Sequence, residues 1–306
     1  MSLECQPSVP AISTLQAAAQ RGDFLITSEV APPKGGDPAH MLEIVDKLRG
    51  RVHAINVTDS NRAVARMSPL AAAVLIQRAG IEPVMQLACR DRNRIALQGD
   101  LMGASALGIR NVLALTGDPV KHGDCPKARQ VSDLESVRLL HLIKNLNRGL
   151  DCNDKPLPNG STAFFPGAAA DPQHPNPSSQ KRRCERKVSR GAEFFQTQLI
   201  TDFQRLDQFM ETVARPLHKP VLAGVFLLKS AKNARFINKY LPGVQIPDTT
   251  IARLERAEIP LQEGIVIAAE QVRQVRHICQ GVHLMAVKAE HLIVDILDRA
   301  EIPPIV

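Results

Sequence analysis

The chain has 306 residues, 44% of them hydrophobic and 23% charged, the balance of an ordinary globular protein and a length that suits one α/β barrel of about 250 residues with additions. Its charge of +7 is dispersed apart from Lys181-Arg182-Arg183 and Arg186-Lys187, which polyanionic cofactors or substrates explain as well as nucleic acid does. With no Trp, one Tyr and nine Phe, an aromatic base-stacking surface is poorly supplied, so nucleic acid is set aside as a partner.

The six cysteines (Cys5, Cys89, Cys125, Cys152, Cys184, Cys279) form no C-x-x-C pair and no cluster with His at ligand spacing. Reduced thiols and no metal site are therefore expected. No apolar run approaches the roughly 20 residues of a membrane span, and the N-terminus lacks a basic start followed by an apolar core. A cytoplasmic protein is the expectation.

Residues 1–22 are polar with one short helical stretch at 12–20 and are read as an N-terminal extension, a lid or cap, ahead of a catalytic domain at 23–306. Residues 24–30, FLITSEV, form a strand broken by Ala31-Pro32-Pro33. Asp37-Pro38 then starts a helix with Met41, Ile44, Val45 and Leu48 on one face. A second strand at 52–57 ends in Thr58-Asp59, Ser68-Pro69 opens the next helix, a third strand spans 83–89, and a helix follows from about 91 to 107.

The stretch NVLALTGDP at 111–119 is the clearest signal. Four apolar residues stop at Thr116-Gly117-Asp118-Pro119, so a carboxylate sits where a doubly buried strand meets a loop. Asp118 is either a turn former or a functional group aimed out of the strand end. A helix at 132–146, a strand at 163–170, a helix at 180–190, a strand at 193–199 and a helix at 202–213 continue the alternation. A strand at 220–228, helices at 230–238, 248–255 and 261–279, a strand at 281–287 and a helix at 289–300 complete it. Eight strand-helix units predict a single-domain (β/α)8 TIM barrel with an extra helix before the last strand. Function is then sought at the strand C-terminal ends, which gather Glu29, Thr58, Asp59, Gln86, Thr116, Asp118, Gly167, Ala168, Gln196, Gln198 and Lys288. Such a set suits hydrogen bonding to a flat heteroaromatic better than hydrolysis. No Ser-His-Asp order appears, and His122, His174 and His283 are read as loop or packing residues.

SEVAPPK with Glu29, NVTD at 56–59, LACRDRNR at 87–94, ALTGDP at 114–119 and RKVSRGAEFFQTQ at 186–198 resemble, in order and spacing, the methylenetetrahydrofolate reductase family. The variant is similar to reductases of anaerobic one-carbon pathways. The resemblance implies a cytoplasmic flavoprotein oxidoreductase that reduces 5,10-methylenetetrahydrofolate to 5-methyltetrahydrofolate, feeding methionine biosynthesis or an acetyl-CoA pathway. It implies Glu29 as the general acid toward the folate N10, a role that its apolar neighbours Val30 and Ala31 favour. Asp118 would be a catalytic carboxylate beside the flavin ring, and Gln198 and Lys288 would bind the pterin and the folate tail. The flavin would be held by Thr58, Asp59, Gln86, Thr116, Gly117, Asp118, Val131, Gly167, Ala168 and Lys187.

The chain also departs from the family. Val30-Ala31 replaces an aromatic pair, Gln86 stands for a histidine, Thr116 for an arginine and Lys288 for an arginine, and the loop at 171–180 is short. FAD, favoured on family grounds, FMN, and no tightly bound flavin all stay open. NAD(P)H or an electron-delivering partner subunit would be the donor, and a homo-oligomer is compatible. The competing expectations are a folate-binding methyltransferase barrel without redox activity and a non-catalytic scaffold subunit.

Overall fold

The strand runs are apolar at successive positions because each strand is covered on both faces, by helices outside and by side chains of the other strands inside. In the computed structural model, which describes residues 12–241 and 243–305, these runs close into an eight-stranded parallel barrel. The order is α1 (Thr14–Arg21), β1 (Leu25–Val30), α2 (Ala39–Leu48), β2 (Ala54–Val57), α3 (Pro69–Arg78), β3 (Glu82–Ala88), α4 (Arg94–Ala106), β4 (Asn111–Leu115) and α5 (Ser136–Asn147). It continues with β5 (Phe165–Ala170), α6 (Pro177–Ser189), β6 (Phe194–Leu199), α7 (Phe203–Phe209), β7 (Val221–Phe226), α8 (Ala231–Tyr240), α9 (Asp248–Arg256), α10 (Pro260–Ile278), β8 (Gly281–Met285) and α11 (Ile293–Arg299).

Each strand pairs with its successor, and β1 pairs with β8 to close the ring, with Thr27 opposite both Ala54 and His283. The TIM barrel read from the alternation is therefore the architecture, including the extra helix α9 before the last strand.

Several boundaries differ from expectation for local reasons. Helix α4 starts at Arg94 rather than Asp91 because the Asn93 side chain accepts from the Ile95 and Ala96 amides at 3.0 Å, whereas Asp91 is drawn into a pair with Arg90. Helix α5 starts at Ser136 rather than Ser132. Ser132 is left-handed at φ 45° and Asp133 is held by Arg94, so the helix opens only where the Thr116 hydroxyl accepts from the Ser136 amide at 3.2 Å. After α7 the helix widens over Met210–Ala214, where the Arg215 amide reaches the Met210 carbonyl five residues back.

Two apolar layers surround the sheet. The outer one joins the strands to the helices through residues such as Ile55, Met85, Val112, Ala168, Phe195 and Val282. The inner one fills the N-terminal half of the barrel with Leu25, Ala54, Val84, Leu113, Phe165, Phe194 and Leu222, and α1 sits across it through Leu15 and Ala18. The Ser13 hydroxyl donates to Asn111 at 2.6 Å, and the Thr14 amide donates to Glu82 at 2.7 Å. Because Glu82 and Asn111 begin β3 and β4, this helix closes the N-terminal face of the barrel, opposite the functional mouth. Residues 1–11 of the proposed extension lie outside the described residues.

Leu15 is 0% exposed. Leu15→Ala is expected to lower unfolding stability by about 2–5 kcal/mol, as leucine truncations in closed cores do. Denaturant unfolding checks this, and an unchanged midpoint would mean that α1 is a loosely attached appendage.

Candidate functional site

With the N-terminal half of the barrel filled by apolar side chains, the inward positions of the C-terminal half turn polar. Side chains alternate along a strand, so Leu25, Thr27 and Glu29 of β1 face inward, as do Ala54 and Asn56 of β2, Val84 and Gln86 of β3, and Phe194, Gln196 and Gln198 of β6. Asn56 Nδ2 donates to the side-chain amide oxygen of Gln196 at 2.8 Å across the interior. Gln86 Nε2 donates to Glu29 Oε2 at 3.1 Å. His283 of β8 pairs through Nδ1 with the Thr27 hydroxyl at 2.9 Å and places Nε2 3.8 Å from the same glutamate oxygen. The glutamate side chain keeps 22% of its surface open to solvent, against 1% for His283.

Above this floor the mouth has an exposed Gln198 and Ala169 and half-buried Leu115, Phe226 and Met285. A carboxyl group supported from below and reachable from above, beside apolar and amide surface, can pass a proton to a flat polar ring.

The corner formed by β2, β3 and β4 is a network of ion pairs. Asp59 is buried and accepts from the Ala88 amide at 2.8 Å and from Arg92 at 2.7 Å, and Arg92 also pairs with Asp100 at 2.8 Å. Burial raises the Asp59 carboxyl above its usual range, and Arg92 and the Ala88 amide pull it back down. Both oxygens of Asp59 lie toward Arg92, so the group expected to touch cofactor is occupied in joining strand ends.

Gly117 has φ 89°, a conformation favouring glycine, and a Cβ there would come within 2.9 Å of Arg90 Cβ. Asp118 is exposed and accepts from the Arg62 amide at 2.7 Å, which ties the loop after β4 to the loop after β2. Thr116 caps α5 with its hydroxyl.

On the opposite side, Lys187 of α6 is buried with its ammonium on the Ala169 carbonyl at 2.6 Å, and burial lowers its pKa. Gly167 faces the interior, where a Cβ would collide with the Phe194 ring, and the buried Ala168 packs among the outer-layer residues rather than at the mouth. It is the next residue, Ala169, that opens to solvent. Val131 is 45% exposed, its amide on the Arg90 carbonyl. Lys288 is exposed just beyond β8 in a left-handed conformation at φ 58°.

The structure thus brings Glu29, Gln86, Thr58 and Gln198 to one mouth and adds Asn56, His283, Phe226 and Met285, which were not singled out as site residues. The strand period of two marks alternate inward positions within each strand, and it is the pairing of Thr27 with His283 that sets the inward face of β8. A cleft of about 540 Å³ on the flank, lined by Arg94, Arg138, His141, Arg186 and Arg190 among others, lies away from this floor. The described cysteines are all free, and no group of three or more His, Cys, Asp or Glu able to hold a metal occurs among the described residues. No described helix is long and apolar enough to cross a membrane.

The family model for methylenetetrahydrofolate reductase matches residues 14–301. Methylenetetrahydrofolate reductase 1 of Schizosaccharomyces pombe is 24% identical over 292 residues, covering 89% of this chain and 45% of that protein. A probable methylenetetrahydrofolate reductase (NADPH) of Caenorhabditis elegans is 22% identical over 191 residues, covering 60% of this chain and 26% of that protein. The chain therefore spans less than half the length of these curated relatives. Among solved structures, a Clostridium thermocellum protein described as binding two copies of 5-methyl-5,6,7,8-tetrahydrofolic acid superposes with a TM-score of 0.65 at 13% identity, covering 94% of this chain and 98% of that one. An F420-dependent secondary alcohol dehydrogenase superposes at 0.57 with 9% identity, covering 91% and 98%. Both share the barrel.

Asp59→Ala is expected to cost about 3–5 kcal/mol of stability, because it leaves the Arg92 guanidinium without its buried partner. Thermal or denaturant unfolding measures this; a ligand-binding defect at unchanged stability would instead make Asp59 a contact residue.

Proposed function

This chain belongs to the methylenetetrahydrofolate reductase family, and on that premise we propose that it reduces 5,10-methylenetetrahydrofolate to 5-methyltetrahydrofolate at the C-terminal mouth of the barrel. The observation that carries the proposal is Glu29, a carboxyl open to the mouth and held from beneath by Gln86 at 3.1 Å. In this role Glu29 gives its proton to the folate N10 as the five-membered ring opens. A solved protein of the same barrel fold is described as binding 5-methyl-5,6,7,8-tetrahydrofolic acid, which is in keeping with a folate substrate.

The residues present fit a flavin. Thr58 Oγ1 is buried without a partner, the Lys187 ammonium has the Ala169 carbonyl as its hydrogen-bond partner, and Gly117 keeps its backbone exposed at the β4 end. Thr58 would then bond a ring or ribityl oxygen, Gly117 would offer its exposed backbone to the isoalloxazine edge, and Lys187 would neutralise phosphate, with Thr116, Val131 and Ala169 along the path. When bound, the flavin supplies the hydride that completes the reduction. FAD is favoured over FMN on family grounds, with NAD(P)H or a partner subunit as electron source.

Gln198 would hold the pterin by its amide and Phe226 would pack on the folate, while Lys288 offers a positive charge to the folate carboxylates without the bidentate fork of arginine. Asp118 would place negative charge beside the flavin, which favours a cationic folate intermediate. The product would feed methionine or acetyl-CoA synthesis from one-carbon units in the cytoplasm.

Glu29→Gln should fold and bind flavin yet reduce methylenetetrahydrofolate about 10²–10⁴-fold more slowly, the range for loss of a general acid. Turnover near that of the wild type would remove Glu29 from the chemistry. Asp118→Asn should raise the flavin midpoint potential and slow the folate half-reaction, because reduction adds negative charge near the site and a flavin that is easier to reduce is a weaker hydride donor. A potential that does not move in a flavin-loaded variant would leave Asp118 as the tie to the Arg62 amide alone.

A further inference from the structure

We propose that His283 is a positioning residue for Glu29, fixing one carboxyl oxygen and stabilising the carboxylate that remains after the proton has left. The inference rests on Glu29 as the acid and adds to it the group that acts behind it.

His283 is 1% exposed, and its two ring nitrogens are treated differently. Nδ1 pairs with the Thr27 hydroxyl at 2.9 Å, whereas Nε2 is buried without a hydrogen-bond partner and lies 3.8 Å from Glu29 Oε2. A packing histidine would have both nitrogens satisfied, because an unpaired buried polar atom costs stability. The unpaired atom here faces the Glu29 carboxyl group, which opens into the mouth.

In the proposed arrangement the Thr27 hydroxyl, which makes no other hydrogen bond among the described residues, donates to Nδ1 and the imidazole proton sits on Nε2, the neutral tautomer that turns an N–H rather than a lone pair toward Glu29. Glu29 Oε2 then faces two N–H groups, Gln86 Nε2 at 3.1 Å and His283 Nε2 at 3.8 Å. The second separation exceeds a hydrogen bond, and catalytic contacts of this kind often tighten only when substrate is bound.

Two donors at Oε2 leave Oε1 as the protonated oxygen, turned toward the substrate. In the transfer the Oε1–H bond breaks and the N10–H bond of the folate forms. The negative charge left on the carboxylate is shared by its two oxygens, and at Oε2 it meets both donors, where charge-assisted hydrogen bonds are stronger than neutral ones. His283 neither gains nor loses a proton overall.

The test compares two substitutions in the flavin-loaded full chain. His283→Gln keeps an N–H at the place of Nε2, whereas His283→Asn reaches only the place of Nδ1. His283→Asn should slow the folate half-reaction about 10- to 100-fold, the loss expected for one hydrogen bond to a charged group, with flavin reduction by the donor unchanged. His283→Gln should restore most of the rate, and in a Glu29→Gln background His283→Asn should have little further effect, since the two act as a unit. Equal losses in the Gln and Asn variants, or a loss that multiplies with Glu29→Gln, would overturn the role of His283 while leaving Glu29 in place. A Glu29→Gln enzyme that still turns over would overturn the acid assignment and this one with it. Independently of cofactor loading, ¹⁵N NMR should find His283 protonated at Nε2, with a resonance that moves on Glu29→Gln; protonation at Nδ1 would contradict the proposal.

Discussion

Closure of the barrel through β1 is the constraint on which the site depends. Parallel pairing of this strand with both β2 and β8 places Glu29 level with Asn56 and Thr27 level with His283. Side chains alternate between faces with a period of two, so a slip of one residue would turn Glu29 into the helix layer and bring Ser28 or Val30 to the mouth. The hydrophobic pattern forbids that slip, because Ile26, Val30, Ile55 and Val57 all belong to the outer layer. The same pairing that stabilises the sheet therefore aims the carboxyl group.

Polar groups inside a barrel are expensive unless paired, and here the pairing is incomplete. Asn56, Gln196, Gln86, Thr27 and His283 are buried, yet Asn56 Oδ1, Thr58 Oγ1 and His283 Nε2 lack partners. Such orphans cost roughly 1–3 kcal/mol each, a burden that the apolar lower half of the barrel and the closing helix α1 offset. Unpaired donors and acceptors gathered under an open mouth are what a site needs if its remaining hydrogen bonds are to be completed by ligands. The ion-pair corner of Asp59, Arg92 and Asp100 is the reverse case, satisfied within the protein and suited to holding loops in place.

The fold was legible because its signals are local and repeated. Apolar runs ending in polar residues, followed by amphipathic helices with Asp37, Ser68 or Asp202 at their starts, recur through the chain, and the barrel follows from their count. Helix starts that depend on distant groups were not legible: nothing near Ser136 announces that Thr116, twenty residues earlier, will cap it. The site divides in the same way. Glu29 and Gln198 stand at strand ends and could be found there, whereas His283 looks like a packing residue until Thr27 is placed opposite it. Asp59 reads as a mouth residue until Arg92 is brought to it, and Ala168 reads as a strand end although the inward face passes through Ala169.

The most direct measurement mixes the protein, loaded with reduced flavin under anaerobic conditions, with 5,10-methylenetetrahydrofolate and follows flavin absorbance together with the folate products. The account predicts reoxidation of the flavin with one 5-methyltetrahydrofolate formed for each flavin. Folate binding without reoxidation, or a purified protein that neither carries flavin nor takes it up, would contradict it.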